Sequence, residues 1–438
     1  MGIVGIRRRF VVVTSTVLAA LSLGVVSCGS ASGRSAGGSG DADIHASTTS
    51  ATPLATTPPR PDLVAALAQP GTHKLPLPPI QSYRADHLTF QQAGDQVLAW
   101  GATRFSGPDN GEADWDPVDE GALLDPRTLS WAKLPAPPFA HPTLSPQLAW
   151  TAQRVVLVGN SCDPAGAQTM DSLPPGCGVG SLQAAAYNPA SHGWTSLSVP
   201  ASIQGFVQYA LVVGDRVLVV LGNEQSGEKS FGLLDPIKRL WTDVRAPVSG
   251  APEVVCASDG TAFAINTQVL VNGVWGDQDA AGSGGNDGYG RVQVSSLGPS
   301  ASAWSTPGPV GLASGAPLAI SGCVGGGVVL IGDNGASPHH GQTGAWFWQP
   351  GGAWTSVPGP PPDLGQLGEG GLALNPLDRD RVGLVGQNNI QGIFDGTTHT
   401  WTSEPFSPAG SVGPVIAHIG RSELSRDPLD GGLVAITP

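Results

Sequence analysis

Charge is scarce in this chain. Only 13% of its 438 residues are Asp, Glu, Lys or Arg, about half the share usual in a soluble domain. Aromatic residues are few as well, at 6%, with four Tyr and two Met. Strong helix formers give way to 62 Gly and 40 Pro, nearly a quarter of the chain, which excludes a helical bundle or coiled coil. Five Cys are too few to scaffold a chain of this length. Lys and Arg number 21 against 34 Asp and Glu, and no basic stripe exists, so nucleic acid is excluded as a partner. After residue 30 no apolar run reaches the roughly 18 residues that a helix needs to cross a bilayer. Residues 62–438 hold no Gly-x-Ser-x-Gly elbow, no His-Glu-x-x-His, no phosphate-binding loop and no dinucleotide fingerprint.

What is present begins with an address. Arg7, Arg8 and Arg9 precede an apolar stretch from Phe10 to Val26, which ends in Val25-Val26-Ser27-Cys28. Residues 1–28 therefore read as a signal peptide. The ending resembles the bacterial lipobox. That resemblance implies cleavage before Cys28, a diacylglycerol on its thiol, and a lipid-anchored protein on the extracytoplasmic side of the cell membrane; an ordinary secretory signal is the alternative. Two or more acyl chains hold a protein stably, each buried methylene contributing roughly 0.8 kcal/mol. Residues 29–61 are mostly Ser, Gly, Ala, Thr and Pro without apolar periodicity, and read as a disordered linker.

The rest, 62–438, repeats. A turn residue and usually Pro stand five or six positions before a Trp: Asp125-Pro126 before Trp131, Asn188-Pro189 before Trp194, Asp235-Pro236 before Trp241. Gly298-Pro299 precedes Trp304, Gln349-Pro350 precedes Trp354, and Asp395-Gly396 precedes Trp401. These Trp residues are 63, 47, 63, 50 and 47 apart. Each unit also carries a β-branched run closing on Gly, such as Val155–Gly159, Val217–Gly222, Val328–Gly332 and Val382–Gly386. Short β-rich runs bounded by turn residues are buried strands. Four antiparallel strands at a period near 50 make an all-β fold, a β-propeller of four-stranded blades with the repeated Trp residues packed between blades. Seven blades are preferred and six are the alternative. Two strands from each terminus would close the seventh: Asp62–Leu67 and the Lys74–Pro79 stretch from one end, and residues near Arg426–Asp430 and Leu433–Ile436 from the other. Closure removes open sheet edges.

The segment Tyr187-Asn188-Pro189-Ala190-Ser191-His192-Gly193-Trp194 resembles the end of a kelch repeat, and the whole region resembles the kelch and galactose-oxidase-like propellers. It departs from them after the second strand, where their Gly-Gly pair is Gly plus a polar residue, as in Gly159-Asn160. The copper chemistry of galactose oxidase does not follow, because it needs a Tyr joined to a Cys and every Cys has another use.

Four Cys remain beside Cys28, an even number for an oxidising compartment. Cys162 with Cys177 would bracket an insertion, and Cys256 with Cys323 would bridge neighbouring blades; buried free thiols are the alternative for the latter. Long segments at 103–120, 160–182, 223–230 and 333–344 fall on one face and mark a binding surface. Its polar ring would be Asn160, Asn223, Asp333, Asn334, Gln387 and Asn388, with Trp115 nearby, although Asn and Asp there also suit tight turns. Asp109, Glu112, Asp114, Asp116, Asp119 and Glu120 crowd one segment. Asp114 and Asp116 could hold Ca²⁺, a solvated acidic loop being the alternative. His339-His340 could bind a transition metal but lacks a third ligand. No other cofactor is expected. The reading is a lipid-anchored, monomeric propeller that binds or scaffolds a protein or glycan ligand at the cell envelope, with an enzyme acting on a carbohydrate or envelope polymer as the alternative.

Overall fold

The computed structural model describes residues 56–80, 88–106, 114–163, 177–222, 228–247, 252, 254–271, 274–277, 290–305, 310–311, 318–333, 343–360, 373–376, 380–386, 389–402, 415–420, 422–426 and 433–437. The described chain starts with a short helix, α1 (Pro61–Ala66), and a strand, β1 (Gly71–Lys74). Blade one follows as β2 (Leu88–Ala93), β3 (Gln96–Ser106), β4 (Asp114–Asp125) and β5 (Ser130–Lys133). Blade two is β6 (Thr143–Thr151), β7 (Arg154–Asp163), β8 (Gly178–Asn188) and β9 (Gly193–Leu197). Blade three is β10 (Phe206–Val213), β11 (Arg216–Gly222), β12 (Lys229–Asp235) and β13 (Leu240–Val244). Blade four is β14 (Val254–Ser258), β15 (Thr261–Val271), an added β16 (Val274–Asp277), β17 (Gly290–Leu297) and β18 (Val310–Gly311). Blade five is β19 (Leu318–Val324), β20 (Gly327–Asp333), β21 (Thr343–Trp348) and β22 (Thr355–Val357). Blade six is β23 (Ala373–Pro376), β24 (Arg381–Gly386), β25 (Asn389–Asp395) and β26 (Thr400–Thr402). The last three strands are β27 (Val415–Ile419), β28 (Ser422–Arg426) and β29 (Leu433–Thr437), and β1 completes their sheet.

The fold is a seven-bladed β-propeller of antiparallel sheets. The first strands lie innermost: β2 abuts β6 and β27, β10 abuts β6 and β14, and β19 abuts β14 and β23. The Trp-bearing ends of the blades therefore lie outermost.

Closure differs from the expected two strands per terminus. Three strands of the seventh sheet come from the C-terminal end and one, β1, from the N-terminal end. Leu433–Thr437 is its third strand, not its second, and Asp62–Leu67 is not a strand. Pro61 opens a helix there because its fixed φ suits the first helical turn, where its missing N–H costs nothing. Leu63 and Val64 of that helix pack on the core shared by blades seven and one. Thr437 Oγ1 donates to Leu67 O at 3.2 Å and tie the two ends of the chain together with Leu75 N–H, which donates to Leu433 O at 2.9 Å. Thr56 to Arg60 run along the outside of β5. Thr57 N–H donates to Trp131 O at 2.9 Å, and Trp131 N–H donates to Thr57 Oγ1 at 2.8 Å.

The corner before each outer strand explains the recurring Asp and Asn. Asp235 Oδ1 accepts from the N–H groups of Ile237 and Lys238, Asp395 Oδ1 from those of Thr397 and Thr398, Asp125 Oδ1 from Arg127, and Asn188 Oδ1 from Ala190. These are Asx turns. The residue two before the Trp then takes a left-handed backbone, with φ of 50° at Leu129, 51° at His192, 57° at Arg239 and 57° at His399. The two constraints together aim the Trp at the previous blade.

Six hydrophobic clusters fill seams between consecutive blades, and one repeat Trp belongs to or packs on each: Trp131, Trp194, Trp241, Trp304, Trp354 and Trp401. Three of the indoles are also latched. Trp131 Nε1 donates to Pro76 O at 2.8 Å, Trp194 Nε1 to Pro135 O at 2.7 Å, and Trp401 Nε1 to Pro358 O at 2.9 Å. Each acceptor is the Pro that follows the outer strand of the preceding blade. Pro135 and Pro358 stand four residues after Trp131 and Trp354. Ser198 and Arg245 hold that place in blades two and three, and there the next indoles, Trp241 and Trp304, bury an Nε1 without a partner. The fixed φ of Pro sets the direction of its carbonyl, which is what the latch needs.

Trp131 is fully buried. Trp131→Phe is expected to cost about 2–4 kcal/mol by urea unfolding, through lost packing and an abandoned carbonyl. Ser198→Pro is expected to raise the stability measured by urea unfolding by about 0.5–2 kcal/mol, because it turns the carbonyl at that place toward Trp241 Nε1 and stiffens the unfolded chain.

Candidate functional site

The hairpins between second and third strands are not of equal length. In blade one the ladder runs on past Gly101 to Phe105 opposite Trp115 and Ser106 opposite Asp114. In blade two it runs to Cys162 opposite Val179 and Asp163 opposite Gly178. A β-bulge marks each departure, between Gly101 and Thr103 and between Asn160 and Cys162. Bulges bend a strand and re-aim it. The segments expected as loops thus begin as two-stranded arms. Blade four builds a third arm. Gln268 and Val269 of β15 pair with β16 on one edge and β17 on the other. Ile265 and Ala264 pair with β14 and β17 in the same way, so β16 continues the edge that β14 occupies. That edge is the axial one, which sets β16 beside the mouth of the central channel. In an antiparallel meander these arms and the connections between blades all lie on one face.

Two covalent links brace this architecture. Cys162 and Cys177 form a disulfide, Cα atoms 5.0 Å apart, that staples the base of the second arm. Cys256 of β14 and Cys323 of β19 join the inner strands of blades four and five, Cα atoms 5.9 Å apart. In the chain-entropy model closing 15- and 67-residue loops contributes about 3 and about 4 kcal/mol.

Polar struts hold the bases of the arms. Asp119 Oδ2, at the root of the blade-one arm, accepts from Thr143 N–H at 3.0 Å and Thr143 Oγ1 at 2.9 Å, at the start of blade two. Gln183 Nε2 donates to Thr143 Oγ1 at 2.8 Å and to His141 O at 3.1 Å. One seam further on, Asn160 Nδ2 donates to Gly205 O at 3.0 Å, and Asn160 Oδ1 accepts from Val207 N–H at 2.9 Å. Asn160 is buried. Its amide is committed to the backbone of blade three, so it acts here as a strut between blades. Glu120 pairs with Lys133 Nζ at 3.0 Å beside the same arm.

The other expected site residues are placed as follows. Trp115, Asp114 and Asp116 lie in β4, with Asp116 opposite Arg104, and Asp333 ends β20 opposite Thr343. Asn223, Asn334, Gln387, Asn388, His339, His340, Asp109, Glu112 and Cys28 lie outside the described residues. Among the described residues no three His, Cys, Asp or Glu side chains gather as metal ligands would. Asp119 is the titratable group that sequence reasoning grouped with a solvated loop. Burial pushes its carboxyl up to about 6, against the pull of the two Thr143 hydrogen bonds, and its Oδ1 is buried without a partner. The missed signal is positional: Asp119 precedes the buried run Gly121–Leu124 by only one residue, so it belongs to the blade.

No family model matches the chain, and no curated protein aligns with it. Several solved structures do. YCF48 bound to D1 peptide is 11% identical with a TM-score of 0.45, over 84% of this chain and 95% of that one. The Kuenenia stuttgartiensis hydrazine synthase is 10% identical with a TM-score of 0.44, over 82% and 97%. A puromycin-hydrolyzing peptidase of Mycobacterium tuberculosis is 14% identical with a TM-score of 0.39, over 80% of this chain and 51% of that one. Likeness at this level carries nothing about activity.

Asp119 binds a proton in the folded state between about pH 4 and 6, where the unfolded chain has released it. Its contribution to stability is therefore largest below the unfolded pKa and falls as pH rises toward 6. Urea unfolding across pH 4 to 7 is expected to show that decline, on the order of 1–3 kcal/mol, and Asp119→Asn is expected to flatten it.

Proposed function

We propose that this protein is a lipid-anchored β-propeller on the extracytoplasmic side of the cell membrane, and that it binds a protein or glycan ligand of the envelope through the face carrying the three arms. The observation that carries this reading is the concentration of extra length there. Blades one, two and four lengthen the same hairpin, toward the same side, while on the opposite face blades one to five join first to second strand through two-residue turns, and blades one, two, three and six join third to fourth through four-residue corners. Rigid sheets that project irregular segments from one side are a common way to build recognition surfaces. The two disulfides support an oxidising compartment. The Cys28 context supports an anchor, and the stretch between it and Thr56 would lift the ring off the bilayer.

Two measurements test the reading. Full-length protein is expected to take up labelled palmitate and to partition into the detergent phase, and Cys28→Ala is expected to abolish both. The detergent-solubilised protein is then screened against glycans and envelope fragments. Binding without turnover, weakened by about tenfold or more when Cys162 and Cys177 are both replaced by Ser, supports the arm face as the site. Release of a cleaved product would instead establish the enzymatic alternative.

A further inference from the structure

The outer edge of blade one is covered by the chain itself, and the pairing shows what such an edge accepts. Thr56 bridges Ala132 in antiparallel sense, Thr57 N–H donates to Trp131 O at 2.9 Å, and Arg60 N–H donates to Thr128 O at 2.8 Å. Residues 57 to 60 thus stand opposite residues 131 to 128. One short extended segment is enough to cover β5.

Blade three has the same edge without a cover. The corners Asp125-Pro126 to Trp131 and Asp235-Pro236 to Trp241 are of equal length, and Leu234 faces Trp241 as Leu124 faces Trp131. The N–H and C=O of Trp241 therefore point off the sheet, as those of Trp131 do. Among the described residues nothing pairs with them.

The side chains at this edge differ from their equivalents. Two residues after the corner Asp or Asn, blades one, two and six have Arg127, Ala190 and Thr397, whereas blade three has Ile237. Immediately before the Trp they have Ser130, Gly193 and Thr400, whereas blade three has Leu240. Ile237 is 52% and Leu240 57% exposed, and among the described residues only Leu77 is another large apolar side chain so exposed. Sheet edges are normally guarded by polar or charged residues, and an open apolar edge invites an added strand. The two side chains flank the edge. Trp241 packs in the seam with blade two, so strand alternation turns Leu240 toward blade four. Ile237 lies on the other side, where it lines an open groove of ≈ 520 Å³ with Ala152 and Gln153 of blade two. Beside them Arg239 is exposed and makes no hydrogen bond or ion pair among the described residues.

We propose that the outer edge of β13 binds an extended segment of a partner protein by strand addition, the segment carrying two adjacent aliphatic residues followed by an acidic one. In the antiparallel frame of Thr57–Arg60, the residue opposite Trp241 exchanges backbone hydrogen bonds with it. The next residue covers Leu240, the one after covers Ile237, and the acid meets Lys238 and Arg239. Backbone pairing supplies affinity and the alternating side chains supply selectivity. The occupant is a single strand, as Thr56–Arg60 is at blade one, and no bond is made or broken.

Fluorescence anisotropy on the detergent-solubilised full-length protein tests this. The probe is fluorescein-labelled Leu-Ala-Thr-Thr-Val-Val-Glu amide, the sequence of residues 54–57 with Val-Val-Glu in place of Pro58-Pro59-Arg60. It is expected to bind with a Kd below about 1 mM. N-methylation of its second Thr removes the N–H aimed at Trp241 O and is expected to weaken binding about tenfold or more. N-methylation of its first Thr, whose N–H points away from the edge, is expected to leave binding unchanged. Ile237→Thr combined with Leu240→Ser installs the residues of blades six and one at two exposed positions, and is expected to weaken the probe about tenfold or more. No binding up to about 1 mM, equal binding of the two methylated peptides, or unchanged affinity in the double variant would overturn the proposal. So would a dimer seen by analytical ultracentrifugation that the double variant dissociates, since the occupant would then be a second copy of this chain. The edge lies on the rim of the ring, so the outcome is independent of the arm-face ligand and of Cys162 and Cys177.

Discussion

The structure depends on the contact between an indole and the blade before it. A single four-stranded sheet of short strands has two faces to bury and cannot bury either alone. Each repeat Trp sits at the outer end of its own sheet, and four of the six are turned toward the neighbour by an Asx corner and a left-handed residue. There it closes one of the six seam clusters. The ring then follows from repetition: each blade covers a face of the next. The innermost strands meet around the axis because the blades widen outward, where the large indoles stand.

This constraint divides the molecule into fixed and free parts. Seams need Val, Leu, Ile and Trp at set places, and four of the corners between third and fourth strands are turned by Asp or Asn. The seam clusters draw none of their residues from the connections between second and third strands, so those connections can change length without disturbing a seam. That is why extra chain collects there. It also explains the struts at their bases. Where an arm leaves its blade, its backbone leaves the ladder, and side chains such as Asp119 and Asn160 tie it to the start of the next blade. The buried carboxyl of Asp119 is the cost of one such tie, since burial disfavours its charged form.

The outer edges tell a similar story. The edge of blade one is taken by Thr57 and Arg60 of the same chain, and its corner carries Arg127 and Ser130. The blade-three edge pairs with nothing among the described residues, and it carries Ile237 and Leu240 at those two places. A difference between equivalent positions of one ring is informative because the backbone around them is so nearly the same.

Much of this was written in the sequence. The Asp-Pro to Trp spacing and the β-branched runs closing on Gly established the blade and marked six copies of it, because strand period and turn chemistry are local properties; the seventh rested on the two chain ends, with six blades as the alternative. The pairing of Cys256 with Cys323 was legible for the same reason, once each fell near a first strand of adjacent units. The closure of the ring was only half legible. Leu63, Val64 and Ala65 suit strand or helix alone, and only the packing of Leu63 and Val64 on the closing seam shows why the helix was taken there. Asn160 read as a rim residue and is buried, and Asp119 read as one acid among six and is a strut. The tertiary structure decided these, since a side chain's role rests on what stands across the seam from it, and that neighbour lies 24 residues along the chain from Asp119 and 47 from Asn160, where no local pattern can report it.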